Sequence, residues 1–186
     1  MTSRLLPITT PRCLLRGFHE RDLQAFAAYR ADPEVARYQS WSSYSMEDAR
    51  AFYEAQSHTE LGVLGTWYQV AIAELGSDAL LGDCALHFLD EHQVELGFTL
   101  APASQGKGIM REAAAALVAG VFERLGKHRI LAVTDARNDA AAKLLGGLGF
   151  RREAHFRKNV LFKGEWGDEF VFACLAEDWR AARVTP

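Results

Sequence analysis

The sequence predicts an α+β fold, a mixed sheet with helices packed on its faces. Three observations predict it. Apolar spacing is near-helical over 20–31 and a second helix is signalled at 45–56, and the period changes to strand-like at 67–73 and 80–88. A strand-like run at 95–100 meets a long helix-like run at 109–125 across a glycine-rich turn. The chain then continues strand, short helix, and a closing pair of strands.

The elements follow in order. Residues 12–16 read as a first strand. Leu23, Phe26, Ala27 and Arg30 recur at near-helical spacing, predicting a helix over 20–31 that stops before Asp32-Pro33. Ser45-Met-Glu-Asp48 resembles a capping box with Asp in place of Glu, so a second helix starts there and runs to about Gln56. Strands are predicted at 67–73, 80–88 and 94–100, joined through Gly76-Ser77-Asp78 and Asp90-Glu91-His92. The long helix carries alanines at 113–116, which combine high helix propensity with room for close approach. A strand at 129–134, a helix at 140–148 and strands at 151–160 and 170–175 complete the chain, the last pair turning near Lys163-Gly164.

The chain has 186 residues, 49% hydrophobic and 24% charged, which suits one domain spanning 1–186 with a sizeable core. A net charge of −3 gives no electrostatic reason to expect nucleic acid or an anionic membrane as a partner. No apolar run approaches the ~20 residues of a membrane span. The first 11 residues lack the basic and apolar regions of a signal peptide, so a cytoplasmic location is expected. Cys13, Cys84 and Cys174 each sit in an apolar strand-like segment and read as buried reduced thiols. A catalytic cysteine would need a cationic neighbour that the sequence does not place. The histidines show no ligand spacing, and no metal is expected.

Gln105-Gly106-Lys107-Gly108-Ile109-Met110 is the stretch that carries chemistry. Two glycines permit a turn that other residues resist, and a helix start aims N–H groups and its dipole at one anion. A plain strand-to-helix connection is the alternative. A P-loop would need Ser or Thr after its Gly-Lys pair, but Lys107 is followed by Gly108. A dinucleotide fingerprint would need a third glycine where Arg111 stands.

Gln105-Gly106-x-Gly108 after Gly97-Phe98-Thr99-Leu100 resembles the acyl-CoA motif of the GNAT acetyltransferases. Thr10-Pro11-Arg12-Cys-Leu-Leu-Arg16 and Asp32-Pro33-Glu34-Val35-Ala36-Arg37-Tyr38 resemble the RimJ/RimL-like branch. So do Asn138, Leu148-Gly149-Phe150-Arg151-Arg152-Glu153 and Gly164-Glu165-Trp166-Gly-Asp168-Glu169. The resemblance implies a mixed, mostly antiparallel twisted sheet with a splayed central strand pair and helices on both faces. The strand at 95–100 should carry a bulge and part from the strand at 129–134. Acetyl-CoA would lie in the gap as cosubstrate. Its pantetheine would follow Phe98, Thr99 and Leu100, its pyrophosphate the N–H groups of Gln105, Gly106, Lys107, Gly108, Ile109 and Met110. Met110 departs from the Gly or Ala common at that position, and Lys107 can add charge. Asn138 would cap a helix, touch CoA, or both.

Acetyl transfer to an amine needs a neutral nucleophile, a polarised thioester and a proton for the leaving thiolate. Glu95 is the candidate base, with a merely solvated strand residue as the alternative. Relatives often supply a Tyr or a Ser at positions held here by Leu145 and Ala141. No residue is therefore assigned as the leaving-group acid. Trp41, Trp166 and Asp168 are expected near the acceptor, where an aromatic wall and a carboxylate suit a cation, or else in packing roles. The expected acceptor is a small-molecule amine or a protein N-terminus. A non-catalytic acyl-CoA-binding module is the rival. Nothing in the sequence decides between a monomer and a homodimer.

Overall fold

In a computed structural model, residues 5–184 are described. The strands are β1 (Ile8–Thr9), β2 (Cys13–Arg16), β3 (Trp67–Glu74), β4 (Leu80–Phe88), β5 (Gln93–Leu100), β6 (Arg129–Asp135), β7 (Arg151–Phe162) and β8 (Glu165–Leu175). The helices are α1 (Leu23–Ala31), α2 (Pro33–Ala36), α3 (Met46–Ser57), α4 (Ile109–Glu123), α5 (Asp139–Gly147) and α6 (Ala176–Val184). One eight-stranded sheet runs β1-β2-β3-β4-β5-β6-β8-β7. Every neighbouring pair is antiparallel except β5 and β6.

The middles of β3 and β4 are buried on both faces, and strand alternation divides their residues between them. Val70 and Ile72 of β3 join Leu86, Leu96, Ala113, Leu117 and Val121 in the core beneath α4. Ala71, between them, faces the opposite cluster of Phe18, Leu23, Phe26, Tyr29 and Ala49 from the α1 and α3 side. Asp83 of β4 also belongs to that side and is 1% exposed. It accepts bonds from the Tyr29 hydroxyl, the Gln69 amide and, at 3.3 Å, Arg30 Nη2. A buried carboxylate needs such partners, and here they pin α1 onto the central strands.

Local signals explain several boundaries. Ser45 Oγ accepts from Asp48 N at 3.1 Å while Ser45 N donates to the Asp48 carboxylate at 2.7 Å, so the predicted capping box forms. Lys163 and Gly164, at φ of 52° and 85°, make the two-residue turn between β7 and β8. The predicted first helix begins at Leu23, because residues 20–22 wind as a 3-10 turn. The short β1 and α2 and the terminal α6 were not anticipated. Asp32 ends α1 and caps α2, its carboxylate accepting from Glu34 N at 2.9 Å.

The splay between the central strands is present. β5 and β6 pair only from Gln93↔Arg129 to Glu95↔Leu131 and then part. The bulge expected in β5 is not there: β4 and β5 keep unbroken register from Gly82↔Leu100 to Phe88↔Val94. Beyond Leu131 the edge of β6 that faces β5 is unpaired, while its other edge stays paired with β8 from Arg129↔Leu175 to Asp135↔Glu169. Gly82 holds β5 close on its other side, since a Cβ there would lie 2.4 Å from the Thr99 carbonyl oxygen. Among the described residues, no helix is long and apolar enough to cross a membrane.

Candidate active site

Where β5 and β6 part, a cavity of about 170 Å³ opens between Leu96, Gly97 and Phe98 on one wall and Ala132, Val133 and Thr134 on the other. A second cavity, about 450 Å³, continues along Phe98, Thr99 and Leu100 to Gln105, Gly106, Gly108, Ile109 and Met110. Phe98, Tyr38, Gln39, Asn138 and Ala141 line both. A strand edge thus leads directly to a helix start.

The turn has the backbone that its glycines allow. Gly106 and Gly108 sit at φ of 72° and 76°, a left-handed conformation costly for other residues. No atom lies within 4 Å of a Cβ built on Gly106, so space is open beside that backbone. Gly108 is the N-cap of α4, and the first N–H groups of a helix lack intrahelical acceptors. The Ile109 and Met110 side chains are each 8% exposed and anchor the helix in the core. Met110 Sδ lies 3.9 Å from Cys84 Sγ. Its departure from the usual small residue is thus absorbed by packing, and its N–H remains at the helix start. Gln105 Nε2 donates to the Leu100 carbonyl at 3.0 Å, tying the loop to β5. Lys107 is exposed and outside the cavity lining.

Glu95 belongs to the last β5–β6 pair, one residue before the opening. It lines neither cavity, whereas Leu96 next to it does. Its Oε2 lies 3.5 Å from His87 Nδ1, and the His87 ring stacks on Trp67 at 4.7 Å. Asn138 Oδ1 accepts from Ala141 N at 3.1 Å, capping α5, and the residue lines both cavities.

A family model described as "Acetyltransferase (GNAT) domain" matches residues 12–151. The chain belongs to the GNAT acetyltransferase family. It is 32% identical over 92% of its length to YnaD, an uncharacterized N-acetyltransferase of Bacillus subtilis, covering 98% of that protein. It is 25% identical over 95% of its length to the ribosomal protein uS5-alanine N-acetyltransferase of Escherichia coli, covering 94% of it. Among solved structures, a GNAT-family acetyltransferase from Bacillus anthracis superposes with a TM-score of 0.83 at 29% identity, over 92% of this chain and 99% of that one. A spermidine N-acetyltransferase from Vibrio cholerae, solved with CoA and spermine, shares the fold at TM-score 0.79 and 20% identity, over 92% and 99% of the two chains.

The family uses acetyl-CoA, and this member is an N-acetyltransferase that moves an acetyl group to an amine. The cavities and turn fit that cosubstrate: an unpaired strand edge for the peptide-like pantetheine, a helix start for the pyrophosphate. The smaller cavity is also lined by Tyr38, Phe162, Asp135 and Glu169. Hydrogen bonds from Arg137 hold Asp135 below the usual carboxylate range. Glu169 accepts from the Asn159 amide. The cleft also carries Leu145 and Ala141, as the sequence indicated. Tyr38 brings a phenol to both cavities, its hydroxyl donating to the Arg137 carbonyl at 3.2 Å.

The three residues expected around the acceptor lie outside the cavity lining. Trp41 packs on the Arg30 guanidinium at 4.1 Å and donates its N–H to the Arg30 carbonyl at 2.9 Å. Trp166 is 62% exposed near the hairpin tip. Asp168 accepts from Lys158 N at 2.9 Å and lies 2.8 Å from His155 Nε2, fastening the hairpin where β7 shifts register between Phe156 and Val160. Adjacent strand residues face opposite ways, so Glu169, one position on, is the carboxylate that reaches the cavity.

All three cysteines are buried and unpaired. Burial pushes the Cys174 thiol up to about 11, Cys13 upward and Cys84 far upward. A thiolate nucleophile is therefore disfavoured at each. Among the described residues, no group of His, Cys, Asp and Glu is arranged to hold a metal ion.

Proposed function

We propose that the protein transfers the acetyl group of acetyl-CoA by direct attack of a primary amine in a ternary complex. The observation that carries this reading is the parting of β5 and β6 beside the Gly106–Gly108 turn. Pantetheine lies along Phe98, Thr99 and Leu100, and the pyrophosphate meets the N–H groups from Gln105 to Met110. Glu95, at the inner end of the opening, takes the ammonium proton through water. Asn138 adds an amide beside the cosubstrate. The carboxylates and rings at the outer end attract a cationic acceptor. We place the reaction in the cytosol, where buried reduced thiols are at home.

The acceptor is a small-molecule amine or a protein N-terminus. The relative named for a ribosomal-protein alanine makes peptide amines the first class to test. Free thiol released from acetyl-CoA should be measured across peptides with free N-termini, polyamines and aminoglycosides. Turnover on at least one amine is expected. Tight CoA binding with no turnover on any amine would favour the non-catalytic binding module, consistent with the missing hydroxyls at Ala141 and Leu145.

A further inference from the structure

The glycine turn is held from outside by a residue of the N-terminal segment. Arg12 lies just before β2, and Cys13 next to it is fully buried. Arg12 Nη1 donates to the Lys107 carbonyl at 2.8 Å, inside the turn. Arg12 Nε and backbone N donate to the two carboxylate oxygens of Glu112 at 2.7 and 2.8 Å. The Thr10 hydroxyl bonds the same carboxylate at 2.6 Å, and Thr10 Oγ1 in turn accepts from Cys13 N at 2.9 Å. Glu112 N closes the first turn of α4 on the Gly108 carbonyl at 3.1 Å. A continuous chain of bonds therefore links buried β2, the turn and the helix start.

Two physical consequences bear on an anion. In a trans peptide the C=O and the following N–H point opposite ways. Fixing the Lys107 carbonyl on Arg12 therefore fixes the Gly108 N–H in the opposite direction. Glu112 is also an anion in the first turn of the helix that would receive the pyrophosphate. Its charge opposes a phosphate unless a cation offsets it, and Arg12 is the cation in contact.

We propose that Arg12 is a positioning residue for the pyrophosphate turn, aiming its donors through Lys107 and offsetting the charge of Glu112. This rests on reading the turn as the CoA site. As a plain surface ion pair, Arg12 would contribute little to stability and nothing particular to ligand binding.

The test compares wild type, Arg12→Ala, Arg12→Lys and Arg12→Ala with Glu112→Gln. Titration calorimetry gives CoA affinity, thermal unfolding gives ligand-free stability, and kinetics use acetyl-CoA and acetyl-pantetheine, which lacks the pyrophosphate. Arg12→Ala should weaken CoA binding roughly 10- to 100-fold, the range of one or two lost charge-assisted bonds. The ligand-free midpoint should move little, and kcat/KM for acetyl-pantetheine should hold. Arg12→Lys should be intermediate, keeping charge without the fork. Glu112→Gln should restore part of the loss in the Arg12→Ala background by removing the unpaired anion. Equal losses on acetyl-CoA and acetyl-pantetheine, or unchanged CoA affinity in Arg12→Ala, would overturn the proposal. Failure of wild type itself to bind CoA would instead remove the site reading on which it rests.

Discussion

A Glu95→Gln variant is expected to lose roughly 100- to 10,000-fold in kcat, the usual contribution of a positioned general base. The acceptor amine arrives as an ammonium and must shed a proton before it attacks. Glu95 sits in the last paired position before the strands part. Its carboxylate lies beside His87, and the following residue, Leu96, lines the cavity. Gln keeps the size and leaves the β5 backbone intact, so acetyl-CoA affinity should change little. A near-wild-type rate across the pH range on a confirmed amine would return Glu95 to a strand residue. Catalysis would then rest on positioning.

Gly108→Val is expected to weaken CoA binding roughly 10- to 100-fold, from about 1–3 kcal/mol of backbone strain. Gly108 has φ of 76°, and a β-branched residue there is a conformational outlier. Packing does not forbid the Cβ: its nearest neighbour would be Arg12 Nη2 at 3.5 Å, an ordinary contact. The strain is therefore conformational, and an exposed turn can relieve it by shifting away from the geometry that CoA needs. Folding should suffer less than binding. Thermal unfolding without ligand, set beside CoA titration, separates the two. Equal losses would mark Gly108 as a structural glycine.

The parts legible in the sequence are those governed by local rules. Alternation split Val70 and Ile72 from Ala71 between two cores. Ser45 and Asp48 announced α3, and Lys163-Gly164 the hairpin turn. The glycine turn was readable because its positive φ values are a demand on residue type. β1 and α2 are only 2 and 4 residues long, too short for a period to emerge. α6 is held by tertiary contact, Trp179 packing against Phe122 at 6.1 Å, which its own sequence does not reveal. The acceptor end was least legible. Whether Asp168 or Glu169 faces inward depends on parity in a hairpin whose pairing shifts register between Arg152 and Ala154 and between Phe156 and Val160. Trp41 could equally have been a pocket wall, and only the fold shows it stacked on Arg30.

Hydrogen exchange with and without saturating CoA tests most directly whether the parted strands and the glycine turn hold the cosubstrate. CoA should slow amide exchange at Phe98, Thr99 and Leu100 and from Gly106 to Met110, with little change in β1 or in the exposed half of α3. Protection confined to other elements, or none at CoA concentrations that saturate binding, would contradict the placement of acetyl-CoA in this cleft.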